Sequence, residues 1–149
     1  MEEIKYNHSM PLQIRFNDVD KFGHVNNAVF LNFYDTAKTN YFGTVCPNVD
    51  WEKDAIIVVY IEVIFIAQIY STDNIAVNTA VTAIGTKSFD LIQQVIDTET
   101  KEVKCTCRST MVAYDLTERK TTPLKDEWIK AICDFEGKDL KKKNKTQPR

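Results

Sequence analysis

Residues 26–43 read NNAVFLNFYDTAKTNYFG, and this stretch decides the class of fold. Its apolar side chains recur in steps of three and four, the spacing of one buried helical stripe: Phe30, Phe33, Tyr34, Ala37 and Tyr41. Asn26 or Asn27 is a good helix cap, and Gly43 stands where a helix commonly ends. The pattern predicts one long helix of about four turns.

The chain on both sides of this helix is typical of β-strands. Residues 55–70 are rich in β-branched side chains and apolar on both faces. Further strands follow on short polar links, at residues 74–85, 88–98 and 102–115. Successive strands on tight turns predict an antiparallel sheet. Before the helix, residues 11–17 alternate well enough for a first strand, with Phe16 on its apolar face.

These elements predict an α+β domain, in which a sheet of five to six antiparallel strands wraps around the central helix. Residues 124–135 add a short C-terminal helix. We expect a single domain over residues 1–137, followed by a basic, disordered tail at 138–149. An open sheet has two edges with unpaired backbone N–H and C=O groups. Proteins commonly pair such an edge with a second copy of the chain, so we expect a homodimer.

Composition excludes several classes of function. The net charge of −2 gives no basic field for nucleic acid. The N-terminus lacks the apolar core of a signal peptide, and Glu62 and Gln68 interrupt the longest apolar run, so we expect a cytoplasmic protein without membrane insertion. The cysteines form no C-x-x-C pair and there are 2 histidines, so no metal site is expected. Without a GxGxxG or P-loop motif, we expect no cofactor.

The segment before the helix, residues 17–30, reads NDVDKFGHVNNAVF. A helix start carries unpaired N–H groups that suit an oxygen becoming negative during a reaction. A carboxylate a few residues upstream, from Asp18 or Asp20, would supply a nucleophile or activate water. Gly23 permits backbone conformations that other residues resist, and it lets a ligand come close. The segment therefore has the parts of a reactive centre.

A structural explanation of the same residues stands beside the chemical one. An aspartate before a helix often serves only as a cap or a partner of the helix dipole, and paired asparagines are commonly caps. An isolated histidine such as His24 more often makes a structural hydrogen bond than a catalytic one. On these residues alone, the capped helix start is the more frequent arrangement.

Residues 15–42, RFNDVDKFGHVNNAVFLNFYDTAKTNYF, resemble the opening of the hotdog-fold thioesterases of the 4-hydroxybenzoyl-CoA thioesterase type. The pattern of that family is roughly D-x-D-x-x-G-x-V followed by an aromatic residue. It is met here by Asp18, Asp20, Gly23, Val25 and Phe30. The likeness covers about residues 10–135, and it includes the segments GTKSFDLIQQVID, MVAYD and ERKTTPL in order.

The resemblance implies a hotdog fold and hydrolysis of an acyl-CoA or acyl-carrier-protein thioester to free acid and thiol. It implies that Asp20 is the nucleophile or general base, and that a backbone N–H of Asn27 or a neighbour polarises the carbonyl. His24 would line the same turn and orient substrate or water. It also implies a homodimer, possible doubling to a dimer of dimers, and active sites at the subunit interface. The positions expected to contact substrate are Gly23, Val25, Asn26, Phe30, Lys87 and Ser88.

Two other activities remain open at this point. Hotdog dehydratases act on β-hydroxyacyl thioesters with a histidine and a carboxylate from the central helix, and a non-catalytic acyl-thioester binding protein would share the fold. The sequence also departs from the family: Phe30 replaces a more usual Tyr, and Asp35 and Lys38 stand where Glu and Arg are common. Because of these departures, the sequence does not identify the acyl group of the substrate.

Overall fold

The computed structural model describes residues 4–142. In chain order the elements are β1 (His8–Leu12), a 3-10 turn (Phe16–Asp18), α1 (Asn27–Val45), β2 (Asp54–Phe65), β3 (Ile75–Ile84), β4 (Ser88–Asp97), β5 (Val103–Asp115), β6 (Lys120–Thr121) and α2 (Asp126–Glu136). The six-stranded antiparallel sheet has the order β1-β3-β4-β5-β2, and β6 pairs with β5. The predicted α+β class is confirmed. No helix within residues 4–142 is long and apolar enough to cross a membrane.

One face of α1 is buried against the sheet, and all the predicted stripe positions lie on that face. The helix is longer than predicted, because it continues through Gly43 to Val45 and closes with a 2.8 Å hydrogen bond from the Cys46 N–H to the Phe42 carbonyl. Phe42 and Val45 are buried. Their packing outweighs the low helix propensity of glycine, so the predicted end at Gly43 is wrong.

The core consists of two apolar clusters, one around each half of α1. Between them β4 supplies Gln93, whose Nε2 donates to the Tyr34 carbonyl at 3.2 Å and to Thr79 Oγ1 at 3.0 Å. Each such bond contributes about 1 kcal/mol and leaves fewer buried polar groups unpaired. Gln93 therefore fixes the helix against the middle of the sheet.

The first strand ends earlier than predicted. The chain leaves β1 at Leu12, and the Arg15 N–H donates to Asp18 Oδ2 at 2.8 Å, which closes the 3-10 turn. Phe16 lies in that turn and is 96% exposed, so its placement on an inward strand face is wrong. The alternation of apolar and polar residues predicted a strand here, but it does not show that the Asp18 side chain ends the strand by closing a turn.

The second strand is also shorter than the predicted range of 55–70. The N–H groups of Ile66 and Ala67 both donate to the Lys104 carbonyl, at 2.9 and 3.0 Å, instead of continuing the ladder. The chain then turns toward the start of α1, where the Val25 N–H donates to the Ile69 carbonyl at 2.8 Å. Ile69 of this segment is therefore buried in the apolar cluster around the start of α1.

The C-terminal segment is fastened to β3. Glu136 Oε2 accepts from the Tyr41 hydroxyl at 2.5 Å and from the Val81 N–H at 3.1 Å, where a bulge interrupts the β3–β4 ladder. Beyond α2, the Ile84 N–H donates to the carbonyl of the buried Leu140 at 2.9 Å. Residues 138–142 of the expected tail thus bond to β3, and 143–149 lie outside the described residues.

A short hairpin connects β1 to α1. The Asn26 N–H donates to the Asp18 carbonyl at 2.8 Å, and Val19 pairs with Val25. Toward the turn, the Asp20 N–H donates to the His24 carbonyl. The Asp18 carboxylate is buried and accepts from Arg15 Nη2 at 3.0 Å. Burial acts to raise the pKa of Asp18, but the hydrogen bonds and positive charge of Arg15 outweigh it and hold that pKa below its usual value.

We expect Asp18→Asn to lower the free energy of unfolding by about 1–3 kcal/mol at pH 7, because it removes charge-assisted hydrogen bonds. Since the folded state lowers the pKa of Asp18, this stabilisation is present above the unfolded pKa of about 3.9 and is lost as the pH falls through the folded value. Urea denaturation from pH 7 to pH 3 measures it. The difference in free energy of unfolding between Asp18→Asn and wild type should shrink in acid. The control Glu118→Gln should change the free energy of unfolding little at any pH. A difference that is independent of pH would contradict this assignment.

Candidate active site

Asp20 lies on the tip of the hairpin, with its side chain exposed. Its Oδ1 accepts from the Phe22 N–H at 2.9 Å and, more weakly, from the His24 N–H at 3.4 Å. The turn closes through a 3.1 Å bond from the Gly23 N–H to the Asp20 carbonyl, and Gly23 has a φ of +82°, which favours glycine there. Within residues 4–142, Oδ2 of Asp20 accepts no hydrogen bond. That oxygen is available for chemistry.

The start of α1 offers a free donor. Asn26 is the N-cap: its Oδ1 accepts from the Ala28 N–H at 3.0 Å, and its carbonyl accepts from the Val29 N–H at 2.9 Å. In the part of the chain that the structure describes, the N–H of Asn27 has no acceptor, and the residue is exposed. The positive end of the helix dipole lies at this N–H. It therefore suits a negatively charged oxygen.

The hairpin carries the carboxylate at its turn and leads into the helix start that carries this donor. The Asp20 N–H donates to the His24 carbonyl at 2.9 Å, and two further rungs lead from there to the helix start. The structure thus places most of the predicted site residues on one short segment, from the turn of the hairpin to the start of α1: Asp20, Gly23, His24, Asn26 and Asn27. Val25 and Phe30 are buried in the apolar core below them, where Phe30 packs edge-on to Phe65 at 5.2 Å. Their contact with substrate stays a prediction.

His24 is half-buried, and its ring packs edge-on against Tyr70 with 5.0 Å between centroids. No ring nitrogen of His24 makes a hydrogen bond to another described residue. The aromatic contact fixes the ring beside the turn while its nitrogens stay available. This placement allows His24 to orient substrate or water.

Asp20 borders an open cleft of about 480 Å³ that extends along the segment from Ile14 to Lys21. Its rim carries Phe16, and Phe22 is 70% exposed on the same turn, with Lys21 Nζ 5.3 Å above its ring. Neither aromatic was among the predicted site residues. Their signal was available, because large aromatic side chains are unusual in a polar turn. The cleft offers apolar contact and positive charge beside the carboxylate.

Lys87 and Ser88 lie far from this turn within one chain. Lys87 immediately precedes β4 and Ser88 is the first residue of that strand, and the Ala113 N–H donates to the Lys87 carbonyl at 3.0 Å. The neighbouring Phe89 belongs to the apolar cluster around the C-terminal half of α1. The structure therefore does not bring these two residues together with Asp20 in a single subunit.

The thiols are poor candidates for the nucleophile. Cys46, Cys105 and Cys107 are buried, and no cysteine of the chain is in a disulfide. Burial raises the pKa of Cys46 and that of Cys107 to about 11 in each case, so both remain protonated near neutral pH. Within residues 4–142, no group of three or more His, Cys, Asp or Glu side chains is placed to hold a metal ion.

Comparison with known proteins places this geometry in a family. No curated protein matches the chain. Among solved structures, a thioesterase from Thermus thermophilus complexed with coenzyme A and Zn is 26% identical, with a TM-score of 0.79 over 91% of this chain and 98% of that one. A 1,4-dihydroxy-2-naphthoyl-CoA thioesterase from Synechocystis is 23% identical, with a TM-score of 0.75 over 85% and 95% of the two chains.

A third structure, the PA5185 protein from Pseudomonas aeruginosa PAO1, is 21% identical, with a TM-score of 0.80 over 92% of this chain and 95% of that one. These similarities confirm the predicted hotdog fold. The family model described as the thioesterase-like superfamily matches residues 14–132, which is most of the chain. The hairpin, the free helix start and the wrapped sheet are thus those of a family member, and this chain belongs to the thioesterase-like superfamily.

Proposed function

We propose that this protein hydrolyses an acyl thioester of coenzyme A or acyl carrier protein to a free acid and a thiol. The observation that carries the proposal is the hairpin, which carries the Asp20 carboxylate at its turn and leads directly into the free N–H of Asn27 at the start of α1. A carbonyl bound between them would have its oxygen at the helix start and its carbon facing the carboxylate.

Two routes satisfy the chemistry. Asp20 as general base takes a proton from water, the water oxygen bonds to the carbonyl carbon, and the C–S bond breaks as the thiolate takes a proton. Asp20 as nucleophile bonds to that carbon and expels the thiolate, and water then hydrolyses the mixed anhydride. In both routes the negative charge on the carbonyl oxygen is stabilised by the N–H of Asn27.

The structures similar to this chain support a CoA substrate as the first to test. One is described as complexed with coenzyme A, and another as a CoA thioesterase. The unpaired cysteines fit a reducing compartment such as the cytoplasm, which we include in the proposal.

The dehydratase alternative fits the geometry less well. It needs a helix carboxylate beside His24, and Asp35 is the one acidic residue of α1. Asp35 follows Asn27 by eight residues, or about 12 Å along the helix. Its side chain is 70% exposed and lies 3.6 Å from Lys38 Nζ, and within residues 4–142 no hydrogen bond joins it to His24. Hydrolysis by Asp20 is therefore the better supported activity.

We also propose that the active form is a homodimer built on β2, with doubling to a dimer of dimers left open. Within the described residues β2 pairs only with β5, so its outer edge has free backbone groups. Large apolar side chains are exposed along and just beyond it: Ile57, Val58, Val59, Tyr60, Ile61, Ile64, Phe65 and Ile66. A long apolar edge favours pairing with another strand.

Two-fold pairing of β2 with its copy would explain the position of Lys87. Such pairing is antiparallel, so the Asp54 end of one strand lies beside the Phe65 end of the other. Phe65 packs on Phe30 at the hairpin site, and Lys87 lies near the opposite end of the sheet. In this dimer Lys87 and Ser88 of one subunit approach the Asp20 turn of the other, where they would hold the nucleotide end of CoA.

We expect Asp20→Asn to lower kcat by about 10²–10⁴-fold, because an amide neither removes a proton nor attacks the carbonyl, although it still caps the turn. The assay follows loss of thioester absorbance over an acyl-CoA panel, since the protein's own cysteines consume thiol reagents. Asp50→Asn is the matched control, because Asp50 Oδ1 also accepts a backbone N–H, from Glu52 at 3.1 Å. A folded Asp20→Asn with wild-type rates would show the catalytic assignment to be wrong. Tight binding without turnover by wild type would favour the non-catalytic alternative.

We expect Val59→Lys to convert a dimer into a monomer and to reduce hydrolysis at least tenfold. Val59 lies in the middle of β2 and is 57% exposed, so a lysine there would face its own copy across the two-fold axis. Light scattering after size exclusion measures the mass, and Leu116→Lys on an exposed turn is the control. A fully active wild-type monomer, or a Val59→Lys dimer, would refute the β2 interface.

A further inference from the structure

Lys38 is a buried charge that the proposed reaction does not use. It lies on the inner face of α1 and is 3% exposed. Its Nζ is buried and makes no hydrogen bond to any residue that the structure describes. The nearest carboxylate oxygen, Asp35 Oδ1, is 3.6 Å away on a side chain that is itself largely in solvent. A buried ammonium without an acceptor is unfavourable, so its retention calls for a partner.

The neighbouring acidic groups do not supply that partner. Asp54, in the wall next to Lys38, already accepts from Lys125 Nζ at 2.9 Å. The positive charge of Lys38 acts on Cys107, but burial is the larger influence and the pKa of that thiol is raised to about 11. Cys107 is therefore neutral near pH 7. Within the described residues Lys38 therefore has one counter-charge, the largely solvent-exposed Asp35 at 3.6 Å, and its Nζ has no hydrogen-bond acceptor.

The stem of Lys38 forms part of the wall of a cavity between α1 and β2. The cavity has a volume of about 290 Å³, and most of its other walls are apolar, including Phe42, Trp51, Ile56 and Met111. This volume is at the small end of ligand sites. Lysine carries its donors on a flexible stem, so rotation of the terminal bonds turns Nζ into the cavity.

A second unpaired polar atom lies on the same side. Ser109 Oγ is buried without a hydrogen-bond partner among the described residues. Ser109 is two residues from Met111 on β5, and alternate residues of a strand share a face, so it faces α1 beside the cavity wall. An ammonium on the wall of an apolar cavity, with a hydroxyl beside that wall, is suited to an anionic oxygen on an apolar ligand.

We propose that Lys38 is the specificity residue for the acyl group, and that the preferred substrate is a thioester whose acyl chain ends in a carboxylate. The inference rests on the proposed thioesterase function and its β2 dimer. In that dimer the Asp54 end of β2, which borders the cavity, lies beside Phe65 of the partner subunit and so beside the second Asp20 turn. The acyl chain enters the cavity from that turn, and its terminal carboxylate meets Lys38 and Ser109.

The test compares acyl-CoA pairs of equal length that differ only at the far end: glutaryl with valeryl, adipoyl with hexanoyl, and octanedioyl with octanoyl. For at least one length, wild type should favour the carboxylate by about tenfold or more in kcat/KM, as one charge-assisted hydrogen bond allows. Lys38→Met, similar in length and uncharged, should reverse the preference while the methyl-ended substrates react at least as fast. Lys38→Arg should keep it. Lys130→Met on the exposed face of α2 is the matched control.

Calorimetric binding of the same pairs to Asp20→Asn, with and without Lys38→Met, separates this inference from the hydrolase proposal. If no thioester is hydrolysed but the carboxylate-ended ligands bind at least tenfold tighter and lose this with Lys38→Met, the specificity assignment holds and the hydrolase proposal fails. If thioesters are hydrolysed without a carboxylate preference, or Lys38→Met leaves the ratio unchanged, the specificity assignment is overturned and hydrolysis stands. Ser109→Ala removes only the hydroxyl and should weaken the preference for carboxylate-ended substrates. It replaces Lys38→Met in the test if that variant does not fold.

Discussion

Burial of one face of α1 inside the sheet is the constraint on which the rest of this structure depends. Because that face must stay packed, the helix axis is fixed, and the hairpin between β1 and α1 fixes where the helix begins. The positive end of the helix is therefore held at one place, and the same hairpin carries Asp20. The 3-10 turn ending at Asp18 breaks the strand alternation, so Asp18 is buried against Arg15 while Asp20 is exposed. The helix cap and the candidate reactive centre are thus parts of one small structure.

Helices and strands that have their own apolar periodicity could be predicted from the sequence, but the residues at which they end often could not. The stripe of α1 and the strands β3 to β5 match because each has its own periodicity. The helix passes Gly43 because Phe42 and Val45 are buried by distant residues. The segment after Phe65 leaves the ladder for contacts with Lys104 and the helix start. Such contacts link residues far apart in sequence, and a pattern within one segment does not contain them.

The candidate site also has residues that the sequence identified and residues that it did not. The proposed roles of Asp18 and Asp20 come from the motif and the family resemblance. In the structure Asp18 is buried and Asp20 is exposed. In the proposed dimer Lys87 would join the site only through the second subunit, and a pattern within one chain does not reveal such an arrangement. Lys38 was within reach of the sequence, since it stands four residues after Tyr34 on the apolar stripe. Its charge was interpreted as a family difference in the helix, and only its burial shows that it faces the interior.

The most direct test of the central claim is a crystal structure with an acyl-CoA analogue in which a methylene group replaces the thioester sulfur. The account predicts the ketone oxygen within about 3 Å of the Asn27 N–H nitrogen, and the ketone carbon within about 3.5 Å of an Asp20 carboxylate oxygen. It also predicts that the nucleotide end lies against the second subunit. A ketone bound out of hydrogen-bonding reach of the helix start, or an Asp20 carboxylate turned away from it, would contradict the claim that this hairpin is the reactive centre.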